Sequence, residues 1–441
     1  KYNGEQYNLE VRVNTLNNEF WYDLTDRRHR AVKFSSGGWE IVENPPILFA
    51  RYKHQKAQIE PSKNGNIRKL LKFINSKDKG DELLILVWVV TSFLPGFPHP
   101  MLNIHGSQGA AKSTLMRLLK RLIDPSQIEL TALKKDGAEL TQLLDHHWLI
   151  MFDNLSVLSE NSSDTLCRAI SGFGFSKREL YTDDSDIILK IKKVIGINGI
   201  NLTTTKPDLL ERSIVIELER ISTEDRKQES DIDREFENDS PSILGGIFDT
   251  LVKAINIKPT LEVNETHRMA DFTIWGCAIT EALGFKKEEF LKAYGVNIKG
   301  QTNLVLEQSL IGQALKKFLE DKDKWEGTAS DLKSELEKIR SVDIRDQEWP
   351  KGANKLSEEL KRLKNSFAEV GIKITWYQGR KRFISIWKDE KSIVAIEAES
   401  NTMQSLEDLS ISETEVEEKE LCNDNYDSND KNTSFSGDIS K

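Results

Sequence analysis

The spacing of apolar and polar positions changes character along the chain. Residues 5 to about 52 alternate in short pieces, "YNLEVRV", "EFWYDL" and "RAVKFSSGGWEIV", separated by Asn, Asp and Gly-Gly turns and closed by Asn44-Pro45-Pro46. Period-two runs punctuated in this way predict a small strand-rich region. Residues 67–95 have helical spacing, and Glu82 to Leu94 is apolar enough for a buried helix. From 101 to 220, apolar strands alternate with helices, the signature of a covered, mainly parallel sheet. The predicted strands are 101–105, 147–153, 193–199 and 213–218. Residues 223–240 are polar and charged, a loop or the solvent-facing start of a helix. Helical periodicity returns at 241–256, 264–283, 287–294 and 302–320. From Trp325 to Lys388 the order is helix, helix, strand, the turn "QGRKR" and strand, which reads as a winged helix-turn-helix.

These patterns divide the chain into a strand-rich N-terminal α+β region (1–60), a helical collar (61–95), an α/β core (96–222), a helical region (223–322), a winged helix (323–390) and a tail (391–441). The tail is rich in Ser, Glu, Asp and Asn. It buries too little surface to offset the entropy of ordering, so disorder is expected there.

Charge sharpens this division. The formal charge of -9 resides in 391–441, where 13 Asp and Glu face 4 Lys, and residues 1–390 are balanced. The folded part is therefore no basic nucleic-acid coat, and DNA contact must come from local patches. The most apolar run, "LLILVWVVTSFLPGF", is short for a bilayer span, so no membrane association is expected. Cys167, Cys277 and Cys422 are far apart and form no ligand pattern, which points to a reducing cytoplasm without structural zinc or disulfides. A first residue of Lys1 instead of Met points to a longer parent protein.

The candidate chemistry lies in "GSQGAAKST", residues 106–114, directly after a strand and directly before a helix. Gly106, Gly109, Lys112, Ser113 and Thr114 have phosphate-loop offsets, and Ser107, Gln108, Ala110 and Ala111 complete the loop. Backbone N–H groups and the helix N-terminus would cradle the phosphates of ATP. Lys112 would reach the outer phosphates and Ser113 would hold Mg²⁺. Ala111 stands where the pattern has glycine, and a positive φ there would cost on the order of 1 kcal/mol.

Forty-one residues after Lys112, "HHWLIMFDN" ends a strand in Asp153, which is either a carboxylate placed to hold Mg²⁺ or its water or a solvated strand end. Asn154 follows, and an amide cannot be a general base. Asn198, at the end of "KVIGIN", either orients the hydrolytic water, senses the γ-phosphate or is a turn residue. Arg212, just before a strand, either reaches the phosphate of a neighbouring subunit or is a surface arginine. The "GFGFSKREL" stretch reads as a loop whose Phe173, Lys177 and Arg178 touch DNA, or as a packed loop with solvated charges. Asp183, Asp184 and Asp186 read as an acidic turn, not a metal cluster. In the winged helix, Lys361, Arg362 and Lys364 on the recognition helix and Arg380, Lys381 and Arg382 in the wing suit backbone contacts. The unit carries 14 basic and 12 acidic residues over 325–390, so a protein-contact role rivals DNA binding.

Taken in order, "GSQGAAKST", "HWLIMFDN", "GFGFSKRELYT", "VIGING" and "LLERSIVIEL" resemble the motifs of superfamily 3 helicases and the helicase halves of phage and mobile-element primase-helicases. The resemblance covers about 95–220 and implies a P-loop ATPase core of AAA+-like type, using ATP and Mg²⁺. It also implies a homo-oligomeric ring, commonly a hexamer, that binds single-stranded or forked DNA and serves replication of a phage, plasmid or mobile element. A priming domain, if present, would precede Lys1. The rival expectations are an oligomeric ATPase that remodels or loads a DNA-bound partner, and a DNA-binding scaffold stabilised by nucleotide.

Overall fold

The computed structural model describes residues 9–76, 78–134, 136–156, 158–178, 186–200, 206–263, 266–339, 349–378 and 382–389, and it divides into two compact units, Lys1–Ser309 and Leu310–Lys441. The expected disordered tail at 391–441 lies outside the described residues.

The first unit opens on an antiparallel sheet of β1 (Val13–Leu16), β2 (Glu19–Asp23), β3 (Ala31–Ser35) and β4 (Gly38–Val42), paired in sequence order. Asn17 and Asn18 take φ of 52° and 63°, the left-handed pair that a two-residue hairpin turn demands and that Asn tolerates. Tyr22, Phe34 and Trp39 pack on Phe248 from one face of this sheet, and Trp21 and Ala31 pack with Ile47 on the other. Next comes α1 (Lys79–Thr91), which starts where Asp78 accepts a hydrogen bond from Gly80 N and buries every residue from Leu83 to Thr91. This is the expected buried helix. Among the described residues, no helix is long and apolar enough to cross a membrane.

The chain then passes through β5 (Met101–His105), α2 (Lys112–Ile123), α3 (Gly137–His146), β6 (Leu149–Phe152), α4 (Glu160–Ser171), β7 (Phe173–Arg178), β8 (Asp186–Ile191), β9 (Val194–Asn198), the single turn α5 (Pro207–Leu210) and β10 (Ser213–Glu217). Four of these strands form one parallel sheet in the order β10-β5-β9-β6. Their near-continuous apolar runs suit a sheet covered on both faces. The order places β9 between β5 and β6, so the C-terminal ends of all three open onto the same edge, where open α/β sheets bind ligands.

The "GFGFSKR" stretch is not a loop. It is β7, paired antiparallel with β8 from Phe173 opposite Ile191 to Arg178 opposite Asp186. The Gly residues suggested a loop, but Phe173 and Phe175 alternate along the strand and stand in register with Ile191 and Leu189. Asp186 begins β8, while Asp183 and Asp184 lie outside the described residues.

Three helices complete the unit: α6 (Glu229–Ile257), α7 (Ala270–Ala282) and α8 (Lys287–Gln308). Helix α6 starts at Glu229, within the stretch 223–240 that read as a loop or a helix start, and carries Pro241 in its interior. The carbonyl of Pro241 accepts from Ser62 N, and the adjoining Gly245 and Gly246 let the backbone at Ser62 and Asn66–Ile67 lie directly on the helix. A β-carbon at either glycine would collide with that backbone.

The second unit contains α9 (Leu310–Phe318), β11 (Lys324–Gly327), α10 (Ala329–Ile339), α11 (Ala353–Glu369), β12 (Ile372–Gln378) and β13 (Arg382–Lys388), with the antiparallel sheet order β11-β13-β12. It begins at Leu310, ahead of the expected boundary at 323. The extended backbone of Ser309 (φ -87°, ψ 121°) ends α8, and α9 packs on α10 and α11, with Leu315, Leu336 and Leu360 each buried. The third strand, β11, was not evident from the sequence, because "KWEG" is too short to show a period.

Candidate functional site

The loop between β5 and α2 takes a left-handed path at three points. Gly106 has φ of 144°, Gly109 has 84° and Ala111 has 57°. The glycines adopt such angles freely, whereas Ala111 bears the strain that its substitution for glycine implied. Ala111 is also the N-cap of α2 and caps it with no side-chain hydrogen bond. The first N–H groups of α2 are thus left for backbone, water or an anion, with the helix dipole favouring negative charge.

Lys112 curls back, donating from Nζ to the carbonyls of Gly106 (2.7 Å) and Ser107 (2.8 Å). Burial holds its ammonium below the ordinary lysine range, with Asp153 opposing the shift. The next residue faces the end of β6: Ser113 Oγ donates to Asp153 Oδ1 at 2.7 Å. The same carboxylate oxygen accepts from Asn198 Nδ2, also at 2.7 Å. Asn198 is buried at the end of β9, and its Oδ1 accepts from Asn154 N at 2.7 Å. The amide therefore bridges two strands, gripping both the side chain of Asp153 and the backbone just beyond it. Asn154 itself sits at φ 56°, a left-handed conformation that asparagine tolerates. Its place after Asp153 is explained by a turn and calls for no acid–base chemistry.

A buried ionic cluster that the sequence did not reveal fixes this arrangement from behind. Asp124, the C-cap of α2, accepts from Arg12 Nε at 3.0 Å, Lys120 Nζ at 2.8 Å and the backbone of Trp148 and Leu149 at 3.2 and 3.1 Å. Burial opposes ionisation of Asp124, but Lys120 and Arg12 outweigh it and hold its carboxyl well below the ordinary range. One carboxylate thus joins the far end of α2 to the start of β6, the two elements that carry Ser113 and Asp153.

Arg212 stands apart from this group. Because β10 runs parallel to β5 with Ser213 beside Met101 and Glu217 beside His105, Arg212 lies at the opposite edge of the sheet from Gly106. The intervening strand is about 13 Å long, more than an arginine side chain spans. Arg212 Nη1 pairs with Asp208, Nε donates to Ser171 Oγ at 3.1 Å, and Arg268 shares the same Asp208 oxygen at 2.7 Å. Within one chain Arg212 is not brought to the loop.

The expected DNA contacts fare unevenly. Phe173, Lys177 and Arg178 lie on the β7 backbone. Lys361, Arg362 and Lys364 are exposed on α11, where Arg362 is paired with Glu359 at 2.9 Å and Lys364 Nζ lies 5.9 Å from the Trp376 ring centre. Arg382 starts β13, next to the stacked rings of Tyr377 and Phe383 (5.6 Å). Arg380 and Lys381 lie outside the described residues.

Two family descriptions match the chain. Residues 67–300 match the Actinomycete integrative conjugative element replication protein, and residues 311–403 match the AICE RepA C-terminal domain. The second match starts one residue inside the second structural unit. No curated protein matches the sequence. Among solved structures, the A form apo structure of the NrS-1 C-terminal region is similar at 11% identity, covering 82% of this chain and 95% of that one with a TM-score of 0.36. An apo structure of the same region is similar at 13% identity, 84% and 96% coverage and a TM-score of 0.35. Likenesses at these scores carry no argument about fold or activity. The first family match spans more than half of the chain, and the protein therefore belongs to the replication proteins of actinomycete integrative conjugative elements.

Proposed function

We propose that the protein is an ATP-driven DNA helicase or translocase, built on a P-loop ATPase core of AAA+-like type, that works as a ring in replication of its element. The observation that carries this reading is the convergence of Ser113 and Asn198 on one oxygen of Asp153, beside a glycine loop that ends in an uncapped helix. A hydroxyl and a carboxylate at 2.7 Å form the pair that a magnesium–triphosphate complex requires. Mg²⁺ needs only one or two protein oxygens, because phosphates and waters complete its shell.

Each residue then has a defined task. The loop N–H groups and Lys112 bind the outer phosphates, while Ser113 and Asp153 hold the metal ion, which neutralises charge on the phosphates when bound. Asn198 keeps the Asp153 carboxylate aimed and reports its position to the backbone at Asn154. Arg212 lies too far along the sheet to serve its own loop, so it acts on the triphosphate of an adjacent copy, after exchanging Asp208 for phosphate. The Phe173–Arg178 strand and the α11–β13 face supply the DNA contacts.

Unwinding of a forked duplex, measured together with mass in the presence and absence of ATP, tests the proposal. The wild type should displace a strand as an ATP-stabilised oligomer, and Lys112→Ala should not. ATP turnover without strand displacement would transfer the protein to the remodelling class, and nucleotide binding without turnover to the scaffold class.

A further inference from the structure

We infer that Arg226 is a further phosphate-binding cation, closing on the triphosphate from the same chain as Lys112. This rests on the reading of 106–114 as a nucleotide loop. After β10 the backbone folds back along that loop. Leu218 N donates to His105 O at 2.9 Å, the Leu218 carbonyl lies against Gly106, and Ile221 N donates to Gly109 O at 3.2 Å. A tight turn follows, in which Ser222 Oγ donates to Asp225 Oδ2 at 2.6 Å and accepts from Asp225 N at 3.1 Å. The turn presents Arg226 to the loop.

Two observations converge on its role. Gly109 lies beside the exposed guanidinium: a β-carbon there would stand 3.0 Å from Arg226 Nη2. Among the described residues, no hydrogen bond or ion pair engages the Arg226 side chain, whereas Lys227 pairs with Glu235 at 2.7 Å and Arg234 with Asp231. A guanidinium without a counter-ion has been brought next to an uncapped helix N-terminus and within the same loop that Lys112 grips. Arg226 adds a second cation beside Lys112 at this loop, and a pair of cations there favours a ligand of several negative charges. Guanidinium geometry matches paired phosphate oxygens, so the ligand is a nucleoside polyphosphate.

Binding of a fluorescent ATP analogue with Mg²⁺ to the full chain tests this, read by anisotropy for the wild type, Lys112→Ala, Arg226→Ala and Arg226→Lys. Arg226→Ala should weaken binding about tenfold, the loss of one charge-assisted contact. Arg226→Lys should recover part of it, and the melting temperature of both variants without nucleotide should match the wild type. Binding by Arg226→Ala equal to the wild type, while Lys112→Ala has lost it, would overturn the role of Arg226 and leave the nucleotide site standing. Absence of binding by the wild type would overturn the nucleotide reading itself.

Discussion

Ala111 holds φ 57° and ψ 25° at the head of α2, a conformation that costs an L-residue about 1–2 kcal/mol. Glycine would remove that strain but lose about 0.5–1 kcal/mol to the greater freedom of the unfolded chain. Ala111→Gly should therefore stabilise the protein by roughly 0.5 kcal/mol in urea denaturation and leave nucleotide affinity unchanged; a destabilised variant would show that the alanine methyl contributes packing. Asn198 tests a different link. Removing its amide leaves the Asp153 carboxylate held by Ser113 without its second donor, so Asn198→Ala should lower the rate of ATP hydrolysis by about 10–100-fold, with ATP affinity little changed. Two histidines make stability depend on pH. Burial pushes His99 down to about 4, and burial helped by Lys120 pushes His147 down to about 3. Both are neutral in the fold yet take a proton near 6.5 when unfolded, so stability is fully present above about pH 6.5 and falls as pH drops toward 4. The urea midpoint should decrease between about pH 7.5 and about pH 5, less so in a His99→Gln/His147→Gln variant. A midpoint independent of pH would contradict the neutral assignment. Of these residues, Lys112, Ser113, Asp153 and Asn198 were legible in the sequence because each sits at a strand end or helix start fixed by local pattern. Arg226 and the Arg12–Asp124 pair were not legible, since only the return of the chain after β10 and the docking of the N-terminal sheet bring them to their partners.

At the scale of elements, periodicity located the strands of the parallel sheet to within two residues but misjudged features decided by tertiary contact. Residues 223–240, which read as a loop or the start of a helix, hold the first part of α6. An interior proline costs about 3 kcal/mol, and here Phe236 stacks edge-on with Phe73 (5.3 Å) while Ser62 uses the Pro241 carbonyl, so packing carries the helix through. Gly245 and Gly246 mark the same close approach. Gly245→Ala should destabilise the protein by about 3 kcal/mol, because the added carbon meets the Ser62 carbonyl and backbone cannot yield as a side chain would; urea denaturation unchanged by this substitution would show that the 62–67 segment does not rest on the helix. Glycine misled in the opposite direction at β7, where Gly174 pairs within a hairpin instead of breaking it. Helix α9 was assigned to the wrong unit because its apolar face follows on from α8 in sequence, and only the extended residue Ser309 separates them.

For the whole molecule, membership in the conjugative-element replication proteins agrees with the expected service to a mobile element, and the proposed motor function goes beyond that membership. The balanced charge of residues 1–390 leaves the proposed DNA contact to confined patches, and on α11 the cations are partly neutralised by Glu358 and Glu359. Arg212 provides a test at this scale. Rings mixed from Arg212→Ala and Lys112→Ala copies contain interfaces with both residues intact, so they should regain ATPase activity that neither variant has alone; verified mixed rings without rescue would remove Arg212 from the neighbouring site. The most direct measurement of the central claim is phosphate release from ATP with and without single-stranded DNA. The wild type should turn over ATP faster when DNA is added, and Asp153→Asn and Lys112→Ala should abolish turnover. Wild-type protein that releases no phosphate under either condition, or variants that release it as fast as the wild type, would contradict the account.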